Sequence, residues 1–436
     1  MAAADVLHSG HVLVAWKEPS FAATTDPDSD LSDGVGNANS FTEGTLLELA
    51  EPGLGCMPTH PDPIRTRGQS DRQWSPRHRA GRKGANLNIP VRLTAGNTEL
   101  AGTDVPSGGR LSMLVDAGFG APLTPAERKT VSAGGSLFAC TVAAIGDYQR
   151  GLVVCVEDTT APGATIKSVR IVTNVVANTF SLNRNMAFSS AIGDVIRPLE
   201  TWVPHLRVTD KPTLRIKRRS RNVSPLEGSA MDFRGCGGVG IIEIPDVGLE
   251  PIFRFTGQAD NWVYSTPENP NLVVAINNDM TPLLLDSVFY LGGVALEAAR
   301  VRIDPRLSLA PRPATSGTHG RSGWTTTASL DGVLWTVDVR WDSAYLDAWD
   351  NETEYQAEFH HGANSLGTTA SGSDHSYFYH YSPAVQVMSI EEVSEGGITY
   401  MRLTLEGRRP ASGTDGASVS LAFMEPYYFA AAGKTT

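Results

Sequence analysis

Four cysteines in 436 residues, none of them in a CxxC pair, leave the chain without the spacing of a zinc site or a disulfide framework. Cys56, Cys140, Cys155 and Cys236 lie far apart and read as free, partly buried thiols. Long apolar runs are missing as well: no stretch reaches the ~18 residues that a membrane helix needs. The opening MAAADVLHSGHVLVAW has neither a basic leader nor a long apolar segment, so the expectation is synthesis in the cytoplasm with no membrane span. Charge is scarce, at 19% of residues against about 25% in ordinary soluble domains, which points to surface buried in an assembly. The net charge of -11 argues against a protein that grips nucleic acid over its whole surface.

Reaction motifs are absent in the same way. No GxSxG elbow, P-loop, HExxH or strand-to-helix GxGxxG occurs, so no catalytic residue, cofactor or metal is expected, and the chain does not read as an enzyme. GCGGVG at 235–240 reads as a tight bend entering a strand. FHHGANSLGTTASGSDHSYFYHY (359–381) could bring His360, His361, Asp374, His375 and His380 to a metal. Neighbouring strand residues point to opposite faces, however, which favours an aromatic-rich interface over a shared ion.

What the chain does have is strand signal. Helical periodicity is confined to two short stretches, 109–118 and 342–353. Nearly everything else alternates, or runs apolar for a few residues between Gly, Pro, Asn and Asp, which predicts an all-β protein. Residues 17–84 and 305–330 lack regular patterning and read as long loops that order on meeting a partner.

The order of elements repeats. A strand, a long loop, a strand, a short helix, a further strand and an apolar hairpin with an acidic turn occur once up to 239–257 and again up to 385–407. This predicts two tandem β-sandwich or barrel domains, each with one short helix, over 1–136 with 204–275 and over 276–436. The segment 137–203 holds several short strands between turns and predicts a small β-barrel module inserted in the first copy.

Three stretches carry a resemblance: LVAWKEPSFAAT near the start, the inserted module with NTFSLN and GDV, and MDFRGCGGVGIIEIPDVGLEPIFRFTGQADNW (231–262). Together they resemble the bacteriophage tail tube, or major tail, protein family in its long form. The resemblance implies a structural virion protein, assembled in the bacterial host cytoplasm, whose rings stack into a tube that carries double-stranded DNA without binding it specifically. Its implied partners are further copies of itself, in trimeric pseudo-hexameric or in hexameric rings, and the tail tip or baseplate, tape-measure and tail terminator proteins. By the same analogy the hairpins would face the channel, with Glu243, Asp246, Glu250, Glu391, Glu392 and Glu395 at or near it; the alternative is an acidic turn in solvent.

Two basic clusters oppose this acidity. One holds Arg65, Arg67, Arg72, Arg77, Arg79, Arg82 and Lys83 around Trp74; the other centres on Arg218 and Arg219. Subunit or ring pairing, a solvated loop and DNA contact are the readings open for them, and Trp beside Arg favours an interface. The rival from another class is a virion or adhesion β-sandwich that binds host-surface glycan, with Trp324, Trp335, Trp341, Tyr377 and Tyr379 as stacking platforms.

Overall fold

The computed structural model describes residues 11–18, 20–22, 45–47, 55–59, 84–93, 112–123, 127–159, 166–204, 211–221, 228–244, 250–268, 287–314, 321–328, 332–362, 377–395, 397–410 and 424–432. The fold is all-β. The N-terminal unit contains β1 (His11–Lys17), β2 (Thr45–Leu47), β3 (Cys56–Thr59), β4 (Gly84–Arg92) and helix α1 (Ser112–Phe119). Next come β5 (Lys129–Ala133), β6 (Ala139–Val142), β7 (Val153–Asp158), β8 (Ile166–Val176), β9 (Thr179–Leu182), β10 (Val195–Pro198) and β11 (Glu200–Trp202). The unit resumes with β12 (Leu214–Arg221), β13 (Gly228–Ile244), β14 (Ile252–Ala259) and β15 (Asn261–Glu268). The C-terminal unit contains β16 (Val288–Leu291), β17 (Val294–Leu296), β18 (Ala298–Asp304), β19 (Leu307–Pro313), β20 (Arg321–Ala328) and β21 (Val333–Arg340). It continues with helix α2 (Ala344–Asp350), β22 (Glu354–His361), β23 (Tyr377–Glu395), β24 (Ile398–Arg408) and β25 (Tyr428–Ala432).

Alternation explains the central strands. In β4, Ala85, Leu87, Ile89 and Val91 are buried while Asn86 and Asn88 are exposed, and β21 and β24 bury Val333, Trp335, Val337, Val339, Met401, Leu403 and Leu405 in the same way. α2 is short for local reasons. The Asp342 carboxylate accepts from the Ala344 N–H at its start, and it ends where Glu352 adopts a φ of 52° and the Asn351 side chain donates to the Asp347 carbonyl. Tyr345 and Ala348 are its buried face.

One pairing pattern occurs twice. In the N-terminal unit β1 pairs with β12, β12 with the first half of β13, and β13 there with β15; the second half of β13 pairs with β14, and β14 with β4. In the C-terminal unit β16, β22, the first half of β23 and β25 pair in that sequence, and the second half of β23 pairs with β24, which pairs with β21. All these pairs are antiparallel. Even an irregularity coincides: the register slips between Leu214 and Ile216 against β13, and between Tyr355 and Ala357 against β23. That slip aligns Cys236 with Val385 and Phe233 with Ser382. Each helix follows the strand at the same place, β4 or β21.

Strands β5 to β10 form a separate closed barrel in the order β10-β5-β6-β9-β8-β7. Its core includes Val131, Val142, Val154, Val156, Phe180 and Ile196. The barrel runs from 129 to 198. Its first strand precedes the 137 boundary expected from sequence, and β11 at 200–202 belongs to the large sheet through its pairing with β25. Residues 305–330, expected as an unpatterned loop, contain the two-stranded β19–β20 sheet.

A candidate assembly interface

The two units are joined edge to edge. On its free side the end of β13 pairs with β18, setting Ile242 opposite Ile303, Glu243 opposite Arg302 and Ile244 opposite Val301. Ile242, Ile244, Val301 and Ile303 are fully buried beneath this seam, and burial of each contributes about 1.5–3 kcal/mol. On the other face Glu243 sits between two cations, accepting from Arg254 Nη2 at 2.9 Å and facing Arg302 Nε at 3.7 Å.

The same seam has two unfilled halves. Among the described residues β3, which pairs with β4 as β18 pairs with β21, has no second strand partner. Among the described residues β23 beyond Val387 likewise pairs only with β24. Register places Cys56 where Ile303 stands, and a proline, which has no N–H to extend a ladder, lies two residues after each: Pro58 within β3 and Pro305 just past β18. One chain therefore has a donor edge and an acceptor edge matching those it joins internally.

The sheet running β4-β14-β13-β18-β21-β24-β23 has an apolar face toward the core and a polar face on which several charges are paired. Arg92 meets Glu250 at 2.7 Å, Arg402 holds Asp338 through two bonds of 2.7 and 2.8 Å, and Glu406 meets Arg306 at 3.0 Å and Arg408 at 2.6 Å. Of the acids expected beside a channel, Glu243 and Glu250 are thus ion-paired on this sheet. Glu391 and Glu392 are exposed on β23, and Glu395 ends that strand opposite Ile398. Asp246 lies outside the described residues.

Arg65, Arg67, Arg72, Trp74, Arg77, Arg79, Arg82 and Lys83 also lie outside them. Arg218 is half-buried, donating to the Cys56 carbonyl at 3.1 Å and touching the Met231 sulfur. Arg219 stands opposite Val12 and Ala230 in the ladder. No known family model matches the chain, and no curated protein does.

The expected stacking platforms are corrected by burial. Trp324, Trp335, Tyr377 and Tyr379 are all within the interior, which leaves Trp341 alone of the five at the surface. Trp324 instead clamps the β19–β20 sheet onto the N-terminal unit, its Nε1 donating to the Gly235 carbonyl at 2.7 Å. A Cβ at Gly237 would stand 2.4 Å from the Trp324 ring, so only glycine permits that approach. Lys211 supports the clamp by donating to the Gly118 and Gly238 carbonyls and to Thr326 Oγ1. Burial pushes its pKa down to about 7, while three acceptors suit the three protons of an ammonium.

His360, His361 and His380 of the histidine-rich stretch are also interior. His360 Nδ1 is 2.8 Å from Tyr377 Oη, its Nε2 is 3.1 Å from Glu358, and His380 Nδ1 is 2.9 Å from Tyr427 Oη. Asp374 and His375 are outside the described residues, and among those described no cluster of three or more metal-ligating side chains forms.

This stretch fixes the barrel to the C-terminal unit. Glu358 on β22 accepts from Asn183 Nδ2 at 2.7 Å and faces Arg184 Nη2 at 3.3 Å, both from the barrel. Val153, Cys155, Val169 and Ile171 of the barrel pack there with Tyr377, Tyr379 and Tyr381. Burial opposes ionisation of Glu358, but the His360 hydrogen bond and the Arg184 and Arg170 guanidiniums outweigh it and hold its pKa below the usual value. Sequence patterning missed this seam because its members come from segments nearly two hundred positions apart.

Proposed function

We propose that this protein is a structural virion subunit that joins head to tail into rings, the rings stacking into a phage tail tube through which double-stranded DNA passes. The observation that carries the reading is the internal β13–β18 seam, together with the matching open edges on β3 and β23. A strand edge left open is a template for further pairing, and closing it around a ring removes the hazard while creating the assembly. Because donor and acceptor edges differ, the contact is heterologous, and a rotation that closes gives a ring.

Two units per chain favour three chains in a pseudo-hexameric ring over six chains. The polar sheet face suits a channel wall: Arg92, Arg254, Arg306 and Arg402 on it each have a carboxylate partner, which leaves fewer cations to displace counterions and bind phosphate. In place of an acidic lining, charge compensation lets DNA slide. Tail tip or baseplate, tape-measure and tail terminator proteins are the proposed partners at the tube's ends and within it.

Residues 60–83 hold the place between β3 and β4 that β19–β20 hold between β18 and β21. Their basic residues and Trp74 are proposed to serve contacts between subunits, as the Trp324 clamp does between units.

Met57 tests the reading. It is exposed on β3, on the face that Glu391 occupies on β23. Met57→Glu would set like charges together at the intersubunit seam. Sedimentation and negative-stain microscopy should show lost assembly with an unchanged thermal melt of the dispersed chain; tubes as abundant as in the parent protein would refute the assignment.

A further inference from the structure

The two helices have the same place in the pairing pattern and very different surroundings. From Leu114 to Phe119, α1 is buried throughout. Its Phe119 packs edge-on against Tyr427 and Phe429 of the C-terminal unit, with ring centroids 6.5 and 5.9 Å apart. Phe429 lies on β25, opposite His380. α2 buries only Tyr345 and Ala348, while Leu346 and Trp349, three positions apart and so on one side, remain exposed with Trp341 beside the helix start. Trp349 is 46% exposed.

The counterpart of β25 in the N-terminal unit is β15. Aligned through the shared register slip, Met231 corresponds to His380, and so Tyr264, opposite Met231, corresponds to Phe429. Tyr264 is 56% exposed. The chain thus carries both halves of its own internal helix contact, uncovered, at opposite ends. Exposed apolar patches rimmed by polar side chains mark interaction sites, and α2 is rimmed by the exposed Asp347 and Asp350.

We propose that the apolar face of α2, formed by Leu346 and Trp349 with Trp341, is a docking surface for a second copy of this chain, which meets it with Tyr264 on β15. The occupant is fixed by the internal precedent: Phe119 at the end of α1 meets Tyr427 and Phe429 at β25, and Tyr264 on β15 is the position of equal place that remains exposed. The direction agrees with the strand edges, since the C-terminal unit would present β23 and α2 together to β3 and β15 of the next copy. This deepens the proposed head-to-tail ring and rests on it for that direction.

The test uses two full-length variants of different mass, Trp349→Cys and Tyr264→Cys, treated with a short bis-maleimide separately and mixed. All four native cysteines are buried, so the background reaction should be small. The expected result is a crosslinked species of mixed mass in the mixture, at least tenfold above either variant alone. Crosslinks joining two copies of Trp349→Cys as readily would overturn the proposal. Tubes without the mixed crosslink would overturn it and leave the tube reading standing. The mixed crosslink in closed oligomers that never stack would support it and refute the tube. A chain that stays monomeric at high concentration, with no crosslink, overturns both.

Discussion

Replacing Glu358 should release the barrel from the C-terminal unit. Its side chain is 3% exposed, accepts from Asn183 and His360, and faces Arg184 at 3.3 Å. Glu358→Ala removes the carboxylate and leaves the buried Arg170 and the nearby Arg184 without it, and breaking such a pair from one side costs about 3–5 kcal/mol. Glu358→Gln keeps an acceptor for Asn183 and loses the charge, for about 1–3 kcal/mol.

The pH dependence follows in sign. The folded pKa of Glu358 is lowered, so its contribution is present above the unfolded value of 4.5 and is lost as pH falls through the folded one. His360 adds to this: burial lowers its pKa below 6.5, so acidification must charge a buried ring. Urea denaturation from pH 7 to well below 4.5, with hydrogen exchange read at β8, β9 and β22, would measure both effects. Below pH 4.5 wild type should lose stability on acidification, and Glu358→Gln should lose less. An alanine variant within about 1 kcal/mol of wild type, with unchanged exchange at β8 and β9, would refute the reasoning.

Trp324→Ala should cost about 3–5 kcal/mol, seen in denaturant midpoint, and should raise exchange in β19–β20 before the rest of the sheet. Lys211→Met should loosen the same sheet, because three backbone and side-chain acceptors lose their donor, and exchange at Thr326 reports it. Burial raises the pKa of Glu18 to about 7 and, with Asp116 nearby, that of Glu200 to about 8. Folded-state proton uptake then exceeds unfolded, so stability from these two groups declines as pH rises from about 4.5 to 8, and Glu200→Gln should flatten that limb in a pH series of melts. The four thiols should react with a maleimide only after unfolding, since all are buried and burial pushes Cys56 and Cys155 up to about 12 and Cys140 up to about 11.

Much of the fold could be read directly. Strict alternation in ANLNIPVRL and VLWTVDVRW marked β4 and β21, and the two short periodic stretches became α1 and α2. β19 and β20 escaped because most of their side chains are partly exposed and prolines interrupt β19; their position depends on Trp324, a contact that no local pattern encodes. GCGGVG at 235–240, expected as a tight bend, lies within the continuous strand β13. The first half of that strand is held extended by β12 and β15 on either side, where tertiary pairing overrides propensity.

The candidate interface was half legible. Acidic hairpin turns were visible, but their partners were not: Glu243 is matched by Arg254 eleven positions away and by Arg302 across the unit boundary. The seam itself depends on register between distant strands. Composition carries no trace of that register.

Mass per unit length of assemblies formed by the full chain, measured by scanning transmission electron microscopy, bears most directly on the central claim. The account predicts hollow tubes with three chains per ring repeat. Solid fibrils, or a chain that remains a small soluble species under every assembly condition, would contradict it.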